Sequence, residues 1–399
     1  MAKKTLKDIS LKSKRLLIRV DFNVPLDSNQ NITDDKRIRA ALPTIQYAMD
    51  QGAKIILMSH LGRPKGTIIP KLSLKPVATR LRELLGKPVI FAEDCIGPDV
   101  ESKIAAMVDR DILLLENLRF HAEETENDPT FSQALAQLGD VYANDAFGSA
   151  HRAHSSTEGV TKYISMNVSG FLMEKELSFL DEAISNPKRP FIALLGGAKV
   201  KDKIPVIENL IDKVDKILIG GGMMFTFLKA MGYEIGTSLL DEDHLESVKT
   251  LIEKQSHKLV LPKDCLVADS FDFAARKIGM SWMVPVEAIP PRNIGLDIGP
   301  YTIESFKQEC HRAGTIVWNG PMGVFEINET AKGTLAMAQV LAECTAKGTI
   351  TIIGGGDSAS AVKMAGVANQ MSHVSTGGGA SLEFLQGKSL PGVAALTDA

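Results

Sequence analysis

Cysteine is scarce in this chain: Cys95, Cys265, Cys310 and Cys344 are the four residues of that type in 399 positions. No two have the C-x-x-C spacing of a redox pair or zinc knuckle, and four are too few to staple a fold of this length, so they read as reduced thiols. Long apolar runs are missing as well. No stretch approaches the ~20 residues needed to cross a bilayer. The amino end, MAKKTLKDISLKSKRLLIRV, carries positive charge up to Arg19 with no uninterrupted apolar core of signal-peptide length. The expected address is the cytoplasm, with no membrane partner. Charge of one sign is not in excess either. A formal net charge of −3 gives no global attraction to nucleic acid, so no nucleic-acid partner is expected and any anion site must be a local cluster of Arg, Lys and His. The chain also lacks GxxxxGK[ST], a strand-following GxGxxG, and the HRD and DFG elements. Their absence argues against a P-loop enzyme, a standard Rossmann dehydrogenase and a protein kinase. Without a repeat of fixed period or a low-complexity tract, a solenoid or linker array is excluded too.

What is present has an ordinary globular balance, with 44% hydrophobic and 23% charged residues. The length exceeds the roughly 250 to 300 residues at which one core stops growing, so two domains are expected, with a ligand cleft between them. Short apolar runs alternate with stretches of helical period, the pattern of βα units and a mostly parallel sheet in an α/β fold. The runs are Leu16 to Val20, Ile55 to Met58, Ile112 to Leu115, Phe191 to Leu195, Lys216 to Ile219, Thr315 to Trp318 and Thr349 to Ile353. Between the first two, Ile38, Leu42, Ile45 and Met49 fall on one helical face, although Pro43 must kink that helix or confine its regular part. A helix over Gly170 to Arg189, ended by Asn186-Pro187, marks the junction between halves of different character.

In the second half the apolar runs lead into glycine: Gly196-Gly197, Gly220 to Gly222, Gly320 and Gly323, Gly354 to Gly356, and Gly377 to Gly379. Glycine after a strand lets a ligand approach the backbone closely, and the next helix offers free N–H groups to phosphate. Five such turns point to a nucleotide. Gly354 to Asp357 can cradle a polyphosphate, with Asp357 near its magnesium. Lys199, Lys201 and Lys203 follow another turn, and Lys199 and Lys203 share a face if the helix begins there. A lysine so placed can neutralise charge on a phosphoryl group in transfer, or is simply solvated surface. Glu326 either accepts from ribose hydroxyls or is exposed charge.

The first half places Arg19, Arg37, Arg63, Arg119 and Arg152, with His60, His121, His151 and His154, near strand ends. Guanidinium groups bind phosphate and carboxylate bidentately, so this cluster suits a small multiply anionic ligand. Asp21 and Asn23 alternate with Arg19 along an extended segment and offer to read a hydroxyl and a carboxylate, or Asp21 simply pairs with an arginine at the surface. No zinc site is expected at His151 and His154, which have no cysteine nearby. The histidines are assigned to binding.

Eight segments in order resemble the phosphoglycerate kinase family: RVDFNVP (19–25), SHLGRP (59–64), LENLRFH (115–121), AHRAHSS (150–156), GGAKVKDK (196–203), NGPMGVFE (319–326), GGGDS (354–358) and STGGGAS (375–381). The resemblance implies two Rossmann-like three-layer domains. It also implies reversible phosphoryl transfer from 1,3-bisphosphoglycerate to magnesium ADP, giving 3-phosphoglycerate and ATP in glycolysis, by a monomer whose domains close on their ligands. It places Arg63, Arg119 and Arg152 at the substrate phosphate and Asp21, Asn23, Arg37 and His60 at its carboxylate and hydroxyl end, with Phe22, Leu61 and Gly62 in the same site. It assigns the nucleotide to Lys203, Gly295, Glu326 and Gly354 to Asp357, the metal to Asp357, and catalysis to Arg37, Lys203, Gly355 and Gly378. The corresponding domains are residues 1–170 for phosphoglycerate and 190–381 for nucleotide, joined by the helix at 171–189, with a tail at 382–399 returning to the first. Two other readings stay open: another carboxylate kinase, or a two-domain anion and nucleotide binder without chemistry.

Overall fold

The apolar runs become strands whose alternating side chains feed two cores. A computed structural model describes residues 3–399. Strands β1 (Arg15–Val20), β2 (Lys54–Met58), β3 (Ile90–Phe91), β4 (Ile112–Leu114), β5 (Val141–Asp145) and β6 (Asn167–Ser169) form one six-stranded sheet, in the order β3-β4-β2-β1-β5-β6. All of its pairings are parallel. Leu16, Ile18, Ile55 and Leu57 enter a core shared with Ile38, Ile45 and Val77 of helices Lys36–Asp50 and Lys75–Leu85. The intervening Leu17, Ile56, Met58 and Leu113 enter a second core with Val100, Phe131 and Leu135 of helices Pro98–Ala105 and Pro129–Ala136. Period-two alternation thus builds a sheet covered on both faces.

Helix Lys36–Asp50 runs through Pro43. The bond that Pro43 cannot donate would have gone to the Arg39 carbonyl, and both residues are exposed, so water can take that acceptor. Strand β5 was not among the runs read from sequence, because Asn144 and Asp145 break its apolar character. Both are buried for structural reasons. Asn144 Oδ1 accepts from the Ala146 amide at 3.0 Å, and Asp145 Oδ1 accepts from the Leu172 amide at 2.9 Å.

The second sheet comprises β7 (Phe191–Leu195), β8 (Lys216–Ile219), β9 (Leu259–Val260), β15 (Thr315–Asn319), β16 (Ile350–Gly354) and β17 (His373–Val374), in the order β17-β16-β15-β7-β8-β9. It too is parallel throughout. Between β9 and β15 the chain adds an antiparallel three-stranded sheet of β10 (Asp264–Ala268), β13 (Ser281–Pro285) and β14 (Ile294–Ile298), and a two-stranded ribbon of β11 (Phe271–Asp272) and β12 (Lys277–Ile278).

The chain divides into two units: residues up to Ser178 together with Ser389–Ala399, and Phe179–Lys388. The division falls inside helix Phe171–Ser185. The expected tail splits. Leu382 to Leu385 finish helix Gly378–Leu385 of the second unit, whose Leu385 carbonyl accepts from Asn209 Nδ2 at 2.8 Å. Ser389–Ala399 instead belongs to the first unit, where Leu396 is buried in its core and the Gly392 amide donates to the Ala150 carbonyl at 2.9 Å. Among the described residues no helix is long and apolar enough to cross a membrane.

Each parallel sheet has a central strand from which the order runs both ways: β1 lies between β2 and β5, and β7 between β8 and β15. Ligands of such sheets bind beyond the carboxyl ends of the strands at this reversal. The arginines and histidines of the first half and the glycines of the second leave the strands at that end.

Candidate active site

In the first unit, Asp21, His60 and Arg119 lie just past the ends of β1, β2 and β4. Asp21 is buried and accepts from Arg37 Nη1 at 2.7 Å, while the Arg37 side chain keeps 38% of its exposure. This pair is therefore no open-surface ion pair: the carboxylate fixes an arginine whose remaining donors are free to reach a ligand. Asn23 Oδ1 accepts from the Gly62 amide at 2.9 Å. Phe22 is fully buried, and its amide donates to Ser59 Oγ at 2.9 Å, so it shapes the strand end rather than facing solvent. Asn117 organises the next loop. Its Oδ1 accepts from the Leu61 and Arg119 amides, both at 3.1 Å, and its Nδ2 donates to the Leu61 carbonyl at 2.7 Å.

Arg119 is 7% exposed and donates from Nη1 to the Gly62 carbonyl at 2.8 Å, but its buried Nε has no partner among the described residues. Burial, reinforced by the positive charge of Arg19 and Arg152, pushes its pKa down to about 10. Arg152 is half-buried and donates to His151 Nε2 at 3.1 Å, whereas Arg63 is exposed. His60 is buried and held well below the ordinary imidazole range, first by burial and then by Arg19. Burial and the charges of Arg119, Arg19 and Arg152 press His154 down to about 3, even though its Nδ1 is 3.8 Å from Glu124 Oε1. Both rings are neutral at physiological pH, so the fixed positive charge is guanidinium. The buried Glu124 partly balances it, and an acidic balance this small leaves room for an anionic ligand.

In the second unit, glycine turns after β7, β15 and β16 surround a cavity of about 440 Å³. Gly355, Gly356, Asp357 and Gly378 are in its wall, with Lys203. Gly355 takes φ 93° and ψ 148°, a region closed to side-chain-bearing residues, and lets the chain turn from β16 into helix Gly356–Met364. That helix and Gly378–Leu385 present their amino ends to the cavity, so unpaired backbone N–H groups and two dipole ends converge there. Asp357 is exposed in the first helical turn, while Ser358 is buried and its Oγ accepts from the Gly320 amide at 2.7 Å.

Lys203 is 8% exposed, and its Nζ donates to Asn319 Oδ1. Burial pushes its pKa down to about 8, against the opposing charges of Asp202 and Asp357. Asn319 Nδ2 in turn donates to the Gly354 carbonyl at 3.0 Å, so one side chain ties the lysine to the glycine turn. Sequence reading gave Asn319 no role, although it opens the NGPMGVFE segment. Lys199 and Lys203 do not share a helical face. Lys199 is extended and exposed, a single 3₁₀ turn (Val200–Asp202) intervenes, and the α-helix starts only at Ile204.

Two expected nucleotide residues do not line this cavity. Gly295 is buried in β14, where its amide donates to Ser238 Oγ at 2.8 Å and the Phe225 ring leaves no room for a Cβ. Glu326 is exposed and is not among the residues that form the wall.

A family model described as phosphoglycerate kinase matches residues 6–388. The chain belongs to the phosphoglycerate kinase family. It is 57% identical to the phosphoglycerate kinase of Prosthecochloris aestuarii over the full length of both chains. It is 55% identical to chloroplastic phosphoglycerate kinase 2 of Arabidopsis thaliana, covering all of this chain and 84% of that one. Among solved structures, phosphoglycerate kinase from Coxiella burnetii superposes with a TM-score of 0.88 at 40% identity, covering 98% of each chain. The Pyrococcus horikoshii enzyme gives 0.83 at 31%, again over 98% of each. Membership carries the reaction: this chain is a kinase that transfers a phosphoryl group reversibly between ATP and the carboxyl group of 3-phosphoglycerate, a step of glycolysis. The family uses ATP or ADP with magnesium.

Proposed function

We propose that the basic pocket of the first unit binds 3-phosphoglycerate and 1,3-bisphosphoglycerate, and that the glycine-walled cavity of the second binds the phosphates of ATP and ADP. The observation that carries the reading is Arg119, a buried guanidinium with an unpartnered Nε among like charges. A buried donor left unpaired costs about 1 to 3 kcal/mol, and a phosphate oxygen removes that cost. Arg63, Arg119 and Arg152 hold the substrate phosphate. Asp21, Asn23, Arg37 and His60 hold the carboxylate and hydroxyl end, shaped by Phe22, Leu61 and Gly62.

In the second unit, Lys203 and the backbone of Gly354 to Asp357 and Gly378 receive the transferring and leaving phosphates, and Gly295 and Glu326 belong to the nucleoside end. Magnesium enters with the nucleotide. One exposed carboxylate beside the phosphates, Asp357, suits a hard cation that keeps most of its ligands from water and phosphate. The ion would neutralise charge between the phosphates. Because the attacking group is already a carboxylate, no strong general base is needed, and positioning with charge stabilisation supplies most of the rate. Arg37 and Lys203 contribute fixed positive charge at the transferring group. We extend the proposal to a cytoplasmic monomer.

Calorimetric titration of 3-phosphoglycerate into wild type and Arg119→Met tests the pocket. Binding should weaken by at least tenfold in the variant while ATP affinity stays unchanged. Equal 3-phosphoglycerate affinities would remove Arg119 from the site.

A further inference from the structure

Arg19 and His60 form a buried chain of hydrogen bonds that begins at Glu124. The Glu124 carboxylate, 0% exposed, accepts from the Ser156 amide at 3.0 Å on Oε2 and from Ser156 Oγ at 2.6 Å on Oε1. Ser156 Oγ also lies 2.8 Å from Arg19 Nε, Arg19 Nη1 meets the Val20 carbonyl, and Arg19 Nη2 lies 2.9 Å from His60 Nδ1. The backbone supports this geometry. Tyr142 Oη donates to the Ser156 carbonyl at 2.9 Å, and the Ser155 amide donates to the Glu124 carbonyl at 2.9 Å.

Donor and acceptor rules fix the direction of every bond in the chain. Burial raises the pKa of Glu124, while Arg19 and the two bonds from Ser156 oppose that shift; as a carboxylate Glu124 only accepts, so the one hydroxyl proton of Ser156 is committed to it, which leaves Ser156 Oγ as acceptor for Arg19 Nε–H. A guanidinium only donates, so His60 Nδ1 must accept and carries no proton. The neutral ring then holds its proton on Nε2, for which the described residues offer no acceptor. The charges that act most strongly on the imidazole, those of Arg19, Arg119, Arg37 and His154, all disfavour a doubly protonated ring.

We propose that Glu124 and Ser156 are positioning residues that act through Arg19 to hold His60 as the Nε2–H tautomer, a neutral donor reserved for the carboxylate or hydroxyl of 3-phosphoglycerate. This rests on the placement of His60 in the substrate pocket given above. Glu124 sets the proton of Ser156, Ser156 sets the rotation of the Arg19 guanidinium, and Arg19 sets both the tautomer and the plane of the ring. Neither Glu124 nor Ser156 touches the substrate. They decide what His60 can offer it.

Imidazole nitrogen NMR on the full-length wild-type protein tests the tautomer directly. The expected His60 spectrum has an unprotonated Nδ1 and a protonated Nε2, and a protonated Nδ1 overturns the proposal whatever the variants do. Steady-state kinetics test the relay. Ser156→Ala should raise the KM for 3-phosphoglycerate roughly tenfold with kcat and the KM for ATP little changed. Ser156→Thr, which keeps the hydroxyl, should restore it. In a His60→Gln background Ser156→Ala should add nothing, because the residue through which it works is already gone. If His60→Gln alone leaves the KM for 3-phosphoglycerate unchanged, the placement of His60 in the pocket fails. If His60→Gln raises that KM and Ser156→Ala either does not or multiplies it independently, the placement stands and the relay is wrong. Should Ser156→Ala not fold, Glu124→Gln is measured in the same cycle, with the same outcomes deciding.

Discussion

The pocket of the first unit draws its positive potential from side chains: guanidinium groups in β1, in helix Lys36–Asp50 and on the segments after β2, β4 and β5, with Arg37 held by Asp21 and the backbone of Arg119 by Asn117. The cavity of the second unit draws its potential from backbone: glycine turns, two helix amino ends and one buried lysine. The difference matches the ligands proposed for the two units. A small metabolite has to be told from other small anions, and several rigid forks at set angles do that. A polyphosphate presents many equivalent oxygens, and a row of N–H groups that only glycine can bring close is enough. The two sites should therefore fail in different ways, the first when a side chain is removed and the second when one is added.

The sharpest break is expected at Arg37. If it meets charge chiefly in the transition state, Arg37→Ala should lower turnover by roughly 10³-fold or more with little change in nucleotide affinity. The assay follows ATP-dependent phosphorylation of 3-phosphoglycerate, coupled to glyceraldehyde-3-phosphate dehydrogenase and read as loss of NADH absorbance. A change confined to KM would assign Arg37 to ground-state binding instead. Next comes Arg152→Ala, which should weaken 3-phosphoglycerate binding by about 1.5 to 3 kcal/mol and leave ATP binding alone. Unchanged affinity by calorimetry would make it a surface residue.

The converse experiment adds a side chain to the second unit. Gly355→Ala forces a Cβ into a glycine-only conformation, 3.1 Å from Asn319 Nδ2, and should cost about 1 to 3 kcal/mol. Fluorescence titration should find ATP affinity reduced and 3-phosphoglycerate affinity intact. Equal affinity for ATP would show that this turn does not shape the phosphate site.

The smallest effect concerns pH. Burial favours the uncharged form of Lys203, so its pKa falls to about 8 and the cation is lost as pH rises through that value. The kcat/KM for ATP should then be about half its plateau near pH 8 and fall about tenfold per unit above it, as the free enzyme's titration dictates. Lys203→Arg, which stays charged, should remove that limb. A wild-type profile flat to pH 9 would mean that Lys203 titrates higher or does not act as a cation.

Residue types at strand ends were legible in the sequence, and so was the contrast between a basic half and a glycine half. Their partnerships were not. Lys199 and Lys203 look equivalent as text, yet the 3₁₀ turn Val200–Asp202 leaves one exposed in the cavity wall and buries the other against Asn319, 116 positions away. Arg19 reads as one more ligand arginine, whereas in the fold all its described bonds go to Ser156, Val20 and His60. Strand β5 escaped a reading that looked for apolar runs, because Asn144 and Asp145 serve as buried hydrogen-bond anchors there.

The sequence alone marked seven of the strands, since short continuous apolar runs suit strands covered on both faces. It also determined what chemistry the loops after them carry, since Arg, His and Gly have few other uses at such positions. Which of those residues are buried, which face a ligand and which merely hold a neighbour was decided by tertiary structure alone. Burial and hydrogen-bond direction depend on strand order, and strand order juxtaposes segments such as those of Arg19 and Ser156, 137 positions apart, that no local pattern connects.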